Sequence, residues 1–299
     1  DGINMRDTAF EDFRQAGITT VNIPPGSANL ITGLAVALKC KGTIVDEVIV
    51  KYPTAMKAAL GENPKNVYGG KKQSPSTRMG NAALLREALL KSKQYQEKMD
   101  SAKSDADKPK YDRTYEAMLP LMRGEIHLGI HCHRSDDIVT AIRIAEEFGL
   151  TYTLEHVTEG HLMVDFLKKK GSYVAVGPSL QYGSKVENRD RDFRTAVLLS
   201  RAGVHFCLTT DHPVVAGQYL ILTAGMAVAW GMDRDVALRS ITLSAAEHVG
   251  IQDRVGSIEV GKDADIVIWS GDPLDFTTFA DVTIIDGEVV FRREVQTCC

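Results

Sequence analysis

Hydrophobic and polar positions divide the chain into short periodic segments. Asp7 can cap a first helix whose apolar face is Ala9, Phe10 and Phe13, and Gly17 stops it ahead of a strand at 18–21. Residues 47–50 and 56–60 read as further strands, the second delivering Gly61-Glu62 at its end. A helix opening at Ser76 or Asn81 places Leu84, Leu85, Ala88 and Leu89 on one side, and the charge-laced stretch 91–115 reads as solvated helix.

From residue 126 the pattern becomes regular. A strand at 126–130 ends in His131-Cys132-His133, after which Ser135 caps a helix that buries Ile138, Ala141, Ile142, Ala145 and Phe148. A strand at 151–154 runs into Glu155-His156. The following helix carries Leu162, Met163, Phe166 and Leu167 and closes on three lysines and Gly171. Strands at 173–176 and 205–208 follow, the latter ending in Thr209-Thr210-Asp211. Units of strand and helix about 20 to 35 residues apart have the spacing of parallel crossovers, so the fold class is α/β. The last part changes character: 257–260, 264–269, 282–285 and 288–291 read as short strands, the last two joined by Asp286-Gly287, a type I′ hairpin signal. So few strands need a neighbouring surface on which to bury their apolar face.

Composition narrows the partners. A chain of 299 residues suits one large domain, or one large and one small. Thirty-five basic against 39 acidic residues, with no long basic block, argue against nucleic acid. Five cysteines without a CxxC pair indicate no disulfide framework and a reducing, cytoplasmic setting. The uncharged run 213–231 contains Gln218, Tyr219, Thr223 and three glycines, which favours a buried helix over a membrane span.

The candidate chemistry lies where strands end. His131, His156 and Asp211 each follow a separate strand at its C-terminal end, where parallel α/β enzymes keep their chemistry. Imidazole nitrogen and carboxylate oxygen suit a divalent ion, zinc for preference and one or two in number, which lowers the pKa of a water towards neutrality. Asp211 is also placed to take the proton of that water, and His156 to ligate or to polarise a substrate carbonyl. Glu62 is the early carboxylate positioned to bridge two ions, with Lys57 as its rival if carboxylated. His133, Arg78, Lys185 and His212 are candidates for holding substrate. No dinucleotide fingerprint, P-loop or G-x-S-x-G elbow is present, and Cys132 and Cys207 sit at apolar positions that suit packing better than nucleophilic attack.

Five runs together carry a resemblance: Gly17 to Val21, His131-Cys132-His133, Glu155 to Gly160, Thr209 to Pro213, and Arg254 to Asp265. They resemble the metal-dependent amidohydrolase superfamily, its imidazolonepropionase-like branch in particular. The resemblance implies a (β/α)8 TIM-like barrel over 1–254 and strands of a small β-sandwich over 255–299. It also implies divalent metal at the C-terminal mouth and hydrolysis of an amide or cyclic amide C–N bond in a small polar substrate. It places His131, His156 and Asp211 at the fifth, sixth and eighth strand ligand positions, with Lys57 or Glu62 at the fourth. Gly17 to Val21 would be the second barrel strand. The first-strand His-x-His pair has no counterpart, since the earliest histidine is His127, and it is expected upstream of Asp1. The alternatives are a catalytically impaired barrel scaffold and a dipeptidase- or carboxypeptidase-like hydrolase. The expected partners are a small-molecule substrate and further copies of the chain, with neither nucleic acid nor membrane.

Overall fold

The period-two alternation of side chains along five parallel strands determines which residues meet in the interior. A computed structural model of the chain describes residues 1–183 and 185–294. Twelve strands occur among them: β1 (Thr20–Ile23), β2 (Ile31–Leu34), β3 (Val36–Lys39), β4 (Ile49–Lys51), β5 (Ala55–Ala59), β6 (His127–Cys132), β7 (Tyr152–His156), β8 (Tyr173–Val176), β9 (Phe206–Leu208), β10 (Ile266–Trp269), β11 (Ala280–Ile285) and β12 (Glu288–Arg292). They form a six-stranded sheet in the order β2-β5-β6-β7-β8-β9 and two three-stranded sheets, β1-β3-β4 and β10-β11-β12. In the large sheet β5 to β9 are parallel and β2 joins β5 antiparallel. This is an α/β fold, a partial TIM-like barrel with separate small antiparallel sheets.

Ten helices complete the order: α1 (Thr8–Gln15), α2 (Glu62–Gly70), α3 (Arg78–Ser101), α4 (Arg113–Met122), α5 (Ser135–Glu147), α6 (Val164–Lys170), α7 (Arg194–Ala202), α8 (Leu220–Ala229), α9 (Arg234–Ser240) and α10 (Leu243–Val249). One face of the large sheet packs on helices through Met56, Leu128, Ile130, Leu154, Val174 and Leu208, together with Leu85, Ile138 and Leu167. Lys57, His131 and Glu155 fall on the opposite face by alternation. Each fully buried aliphatic side chain in that layer contributes about 1.5–3 kcal/mol of transfer free energy.

Several sequence expectations need correction. The strand after Gly17 begins at Thr20 and pairs with β3 in a small sheet, so it is not a strand of the large one. The stretch 91–115 is not one helix: α3 stops at Ser101, and α4 starts at Arg113 behind its cap Asp112. Ser135 is the first residue of α5 rather than its cap; its N–H and hydroxyl both donate to Glu159 Oε2, at 2.7 and 2.8 Å. Residues 257–260 form no strand, and Ile258 and Val260 are exposed. The 213–231 run yields the ten-residue helix α8, and no described helix is long and apolar enough to cross a membrane. Cys298 and Cys299 lie outside the described residues.

The late strands find their covering surface within this chain. Ile285 and Val290 share a core with Phe10 and Phe13 of α1, Val36 and Leu38 of β3, and Val48. The Arg254 to Asp265 run supplies the electrostatic part of the same contact. Lys39, 2% exposed, lies 2.9 Å from Asp263, 2.8 Å from Asp265 and 3.4 Å from Asp286. Asp286 and Gly287 both have positive φ, 51° and 81°, as a type I′ turn requires.

Candidate metal centre

Three imidazoles converge beyond the C-terminal ends of β6 and β7. One nitrogen from each of His131, His133 and His156 lies within 4.8 Å of the other two, and all three residues are buried. His131 is the inward residue near the end of β6, and His133 faces the same way two residues on. His156 reaches the group differently. Strict alternation would turn it outward with Leu154, but its φ is +78° and that of Val157 is +43°. The left-handed turn swings His156 inward and gives Val157, fully buried, to the helix-facing core. Such a conformation is costly for a β-branched residue, and its presence at a strand end marks a constrained site.

Neighbouring groups fix the rings. His156 Nδ1 donates to the Gly177 carbonyl at 2.9 Å, and His133 Nδ1 pairs with Thr158 Oγ1 at 2.7 Å. The amide nitrogen of Asn63 donates to His131 Nε2 at 3.2 Å, while Asn63 Oδ1 accepts from Lys185 Nζ at 2.6 Å. Because a carbonyl can only accept, His156 carries its proton on Nδ1 and keeps an unprotonated Nε2; His133 does the same when its Nδ1 donates to the Thr158 hydroxyl. Burial holds all three imidazoles below the ordinary histidine range. Neighbouring imidazoles push in the same direction at His131 and His133, Lys57 does so at all three, and Asp211 opposes it at His156. Neutral, clustered imidazoles in a buried pocket are the donor set that a divalent cation such as zinc takes up.

Asp211 ends the β9 unit, is exposed and has φ of +53°. It is not a member of the three-residue cluster, whose third corner is His133, a residue assigned from sequence to substrate. Glu62 is buried at the first position of α2, and Lys57 is buried on β5 opposite Gly129. Arg78 donates its Nε to Asp137 at 2.9 Å, while its Nη2 is buried without a hydrogen-bond partner among the described residues. His212 accepts the Gly217 N–H at 3.2 Å and packs edge-on against Phe13. Lys185 is half-buried beside Asn63. The thiols of Cys132 and Cys207 are buried and pushed up by that burial, and that of Cys40 is pushed up to about 12, so none is a ready nucleophile.

Two features escaped sequence reasoning. His248 Nε2 meets Glu155 Oε1 at 3.0 Å across 93 residues, beside a cavity of about 30 Å³ lined also by Lys57 and His127. Glu187 lies at the edge of the histidine cluster, 3.9 Å from His133. Neither carries a local motif, since both contacts join distant parts of the chain.

With this geometry, the comparisons define the class. Residues 10–290 match the amidohydrolase family, and the chain belongs to it. It is similar to the crystal structure of an amidohydrolase from Thermotoga maritima MSB8, at 42% identity and a TM-score of 0.95, covering 98% of this chain and 77% of that one. It is also similar to amidohydrolase tasK of Hapsidospora irregularis, 27% identical over 99% of this chain and 32% of that protein. An imidazolonepropionase of Sphingopyxis alaskensis is 30% identical over 41% of this chain and 30% of its own length. The chain thus spans about a third of these curated relatives.

Proposed function

We propose that this chain carries the metal-binding face of a hydrolase that cleaves an amide or cyclic amide C–N bond in a small polar substrate. The observation that carries the reading is the convergence of three buried, neutral imidazoles at the C-terminal ends of adjacent parallel strands. A divalent cation bound there, zinc by the nitrogen-rich donor set, would make a water nucleophilic at neutral pH. His131, His133 and His156 would hold it, and Glu62, or Lys57 if carboxylated, would join them should two ions bind. Asp211, at the rim, accepts the proton of the attacking water and returns it to the leaving nitrogen. Lys185 and His212 orient the substrate from the rim, and Arg78 serves instead to hold Asp137.

Partial similarity to imidazolonepropionases favours a cyclic amide over a dipeptide. The three described cysteines are free and buried, which supports a reducing, cytoplasmic setting. We also infer that the chain assembles as a homo-oligomer, with exposed Ile258, Val260 and Phe276 as its apolar contact residues. The test is metal analysis of the protein together with hydrolysis of a panel of cyclic amides. Stoichiometric metal and turnover lost in Asp211→Asn support the reading, whereas turnover unaffected by complete metal removal ends it.

A further inference from the structure

Beside the three imidazoles lies a carboxylate with no role in the scheme above. Glu187 sits in the 3-10 turn Val186–Asn188, between β8 and α7, and is 1% exposed. Its Oε2 accepts the Glu62 N–H at 2.7 Å. Its Oε1 is buried without any hydrogen-bond partner among the described residues. That oxygen lies 3.9 Å from His133 Nε2 and 3.9 Å from Lys185 Nζ. Arg78 offers no better match: its Nη2 is 3.7 Å from Oε2 and is itself unpartnered.

A buried carboxylate oxygen left unpaired is unfavourable, so its position calls for a partner. A separation of 3.9 Å is too long for a hydrogen bond. Two ligand atoms about 2.0–2.2 Å from a shared cation stand about 3.3–3.6 Å apart in tetrahedral geometry, so a small inward movement of Oε1 would bring both onto one ion. The backbone is shaped to admit this carboxylate. Gly61 has φ of +81°, and a Cβ there would come within 2.6 Å of Glu187 Oε2 and 3.2 Å of Asp137 Oδ2. Only glycine lets Oε2 dock on the start of α2 while Oε1 turns towards His133.

We propose that Glu187 is a metal ligand: its Oε1 and His133 Nε2 grip a divalent cation from the side of the β8–α7 loop, at the flank of the three-imidazole cluster, of which Glu187 itself is not a member. This deepens the hydrolase reading and rests on it. It makes the 3-10 turn Val186–Asn188 part of the metal site.

The test is Co²⁺ titration of the full chain, read by visible absorption, for wild type, Glu187→Gln and His131→Ala. Glu187→Gln keeps the shape of the side chain and removes its charge. The proposal expects tenfold or greater loss of Co²⁺ affinity in Glu187→Gln, with a changed band intensity that reports altered coordination. Wild-type affinity and spectrum in Glu187→Gln, alongside lost binding in His131→Ala, overturn the Glu187 assignment and leave the histidine reading standing. No Co²⁺ uptake by wild type overturns both. Should Glu187→Gln fail to fold, an anomalous-difference map of the wild-type Co²⁺ complex decides: Oε1 at about 2.2 Å from the ion supports the proposal, and an intervening water overturns it.

Discussion

His156 donates its Nδ1 hydrogen to the carbonyl oxygen of Gly177 across 2.9 Å, which commits the other ring nitrogen to the metal side. Gly177 has φ of +136°, and a Cβ there would stand 2.1 Å from the Thr209 carbonyl oxygen. Gly177→Ala must therefore shift the backbone that holds the imidazole. We expect a loss of about 3 kcal/mol in urea unfolding and at least about tenfold weaker Co²⁺ binding. Unchanged Co²⁺ affinity in a folded Gly177→Ala protein would show that the carbonyl does not orient the ring.

Acid should unfold the metal-free chain through its buried histidines. Burial, aided by nearby His248, lowers His127 to about 4 from 6.5. The unfolded chain then binds the proton first, so stability is complete above about pH 6.5 and falls as pH drops towards 4. His127 alone withdraws about 3 kcal/mol over that window. Burial raises Glu155, but the charge and hydrogen bond of His248 outweigh this and carry it well below the ordinary range. Its contribution is present above 4.5 and is lost at still lower pH, so the two effects have the same sign. Urea midpoints at pH 7, 5.5 and 4 should decline steadily, and His127→Asn should flatten the slope. A flat wild-type profile would contradict the assignment.

Lys39→Met tests the clasp between β3 and the late strands. The substitution keeps most of the side-chain volume and strands Asp265, whose side chain is 7% exposed, without its cation. The expected cost is about 3–5 kcal/mol. Adding Asp265→Asn should recover part of the lost thermal stability. Because the clasp lies outside the histidine cluster, Co²⁺ stoichiometry in the folded fraction should stay at the wild-type value.

Glu159→Gln tests the borrowed cap of α5. The carboxylate accepts from both the backbone and the hydroxyl of Ser135 and faces the positive end of a 13-residue helix. We expect a destabilisation of about 1–2 kcal/mol in urea, reduced by high salt. Equal stability at low salt would mean that the charge contributes nothing.

The strands that position His131 and His156 were legible because each is a short apolar run between helical periods. The same logic failed for 31–39. Ile31–Leu34 and Val36–Lys39 are separated by Ala35 alone, without a turn signal, yet they belong to different sheets. Residues 257–260 alternate like a strand but form none with the described residues, because alternation cannot supply a neighbour. His133 was placed with the substrate because it lies on the same side as His131 but one step further into the loop beyond the strand read at 126–130. Glu187 and His248 meet their partners only through the fold, 54 and 93 residues distant in sequence from His133 and Glu155. The left-handed backbone at His156 was equally invisible, since neither histidine nor valine advertises it.

The sheet switch at Ala35 has a mechanical consequence. Its N–H and carbonyl are both tied to the loop and strand at 54–55, each at 2.9 Å, so the ribbon 31–39 cannot slide at that point. On one side it edges the strand that bears Lys57; on the other it forms the middle of the sheet that Lys39 fastens to Asp265. A twist applied to the small sheet is thereby geared directly to the floor beneath the imidazoles, through one pinned residue.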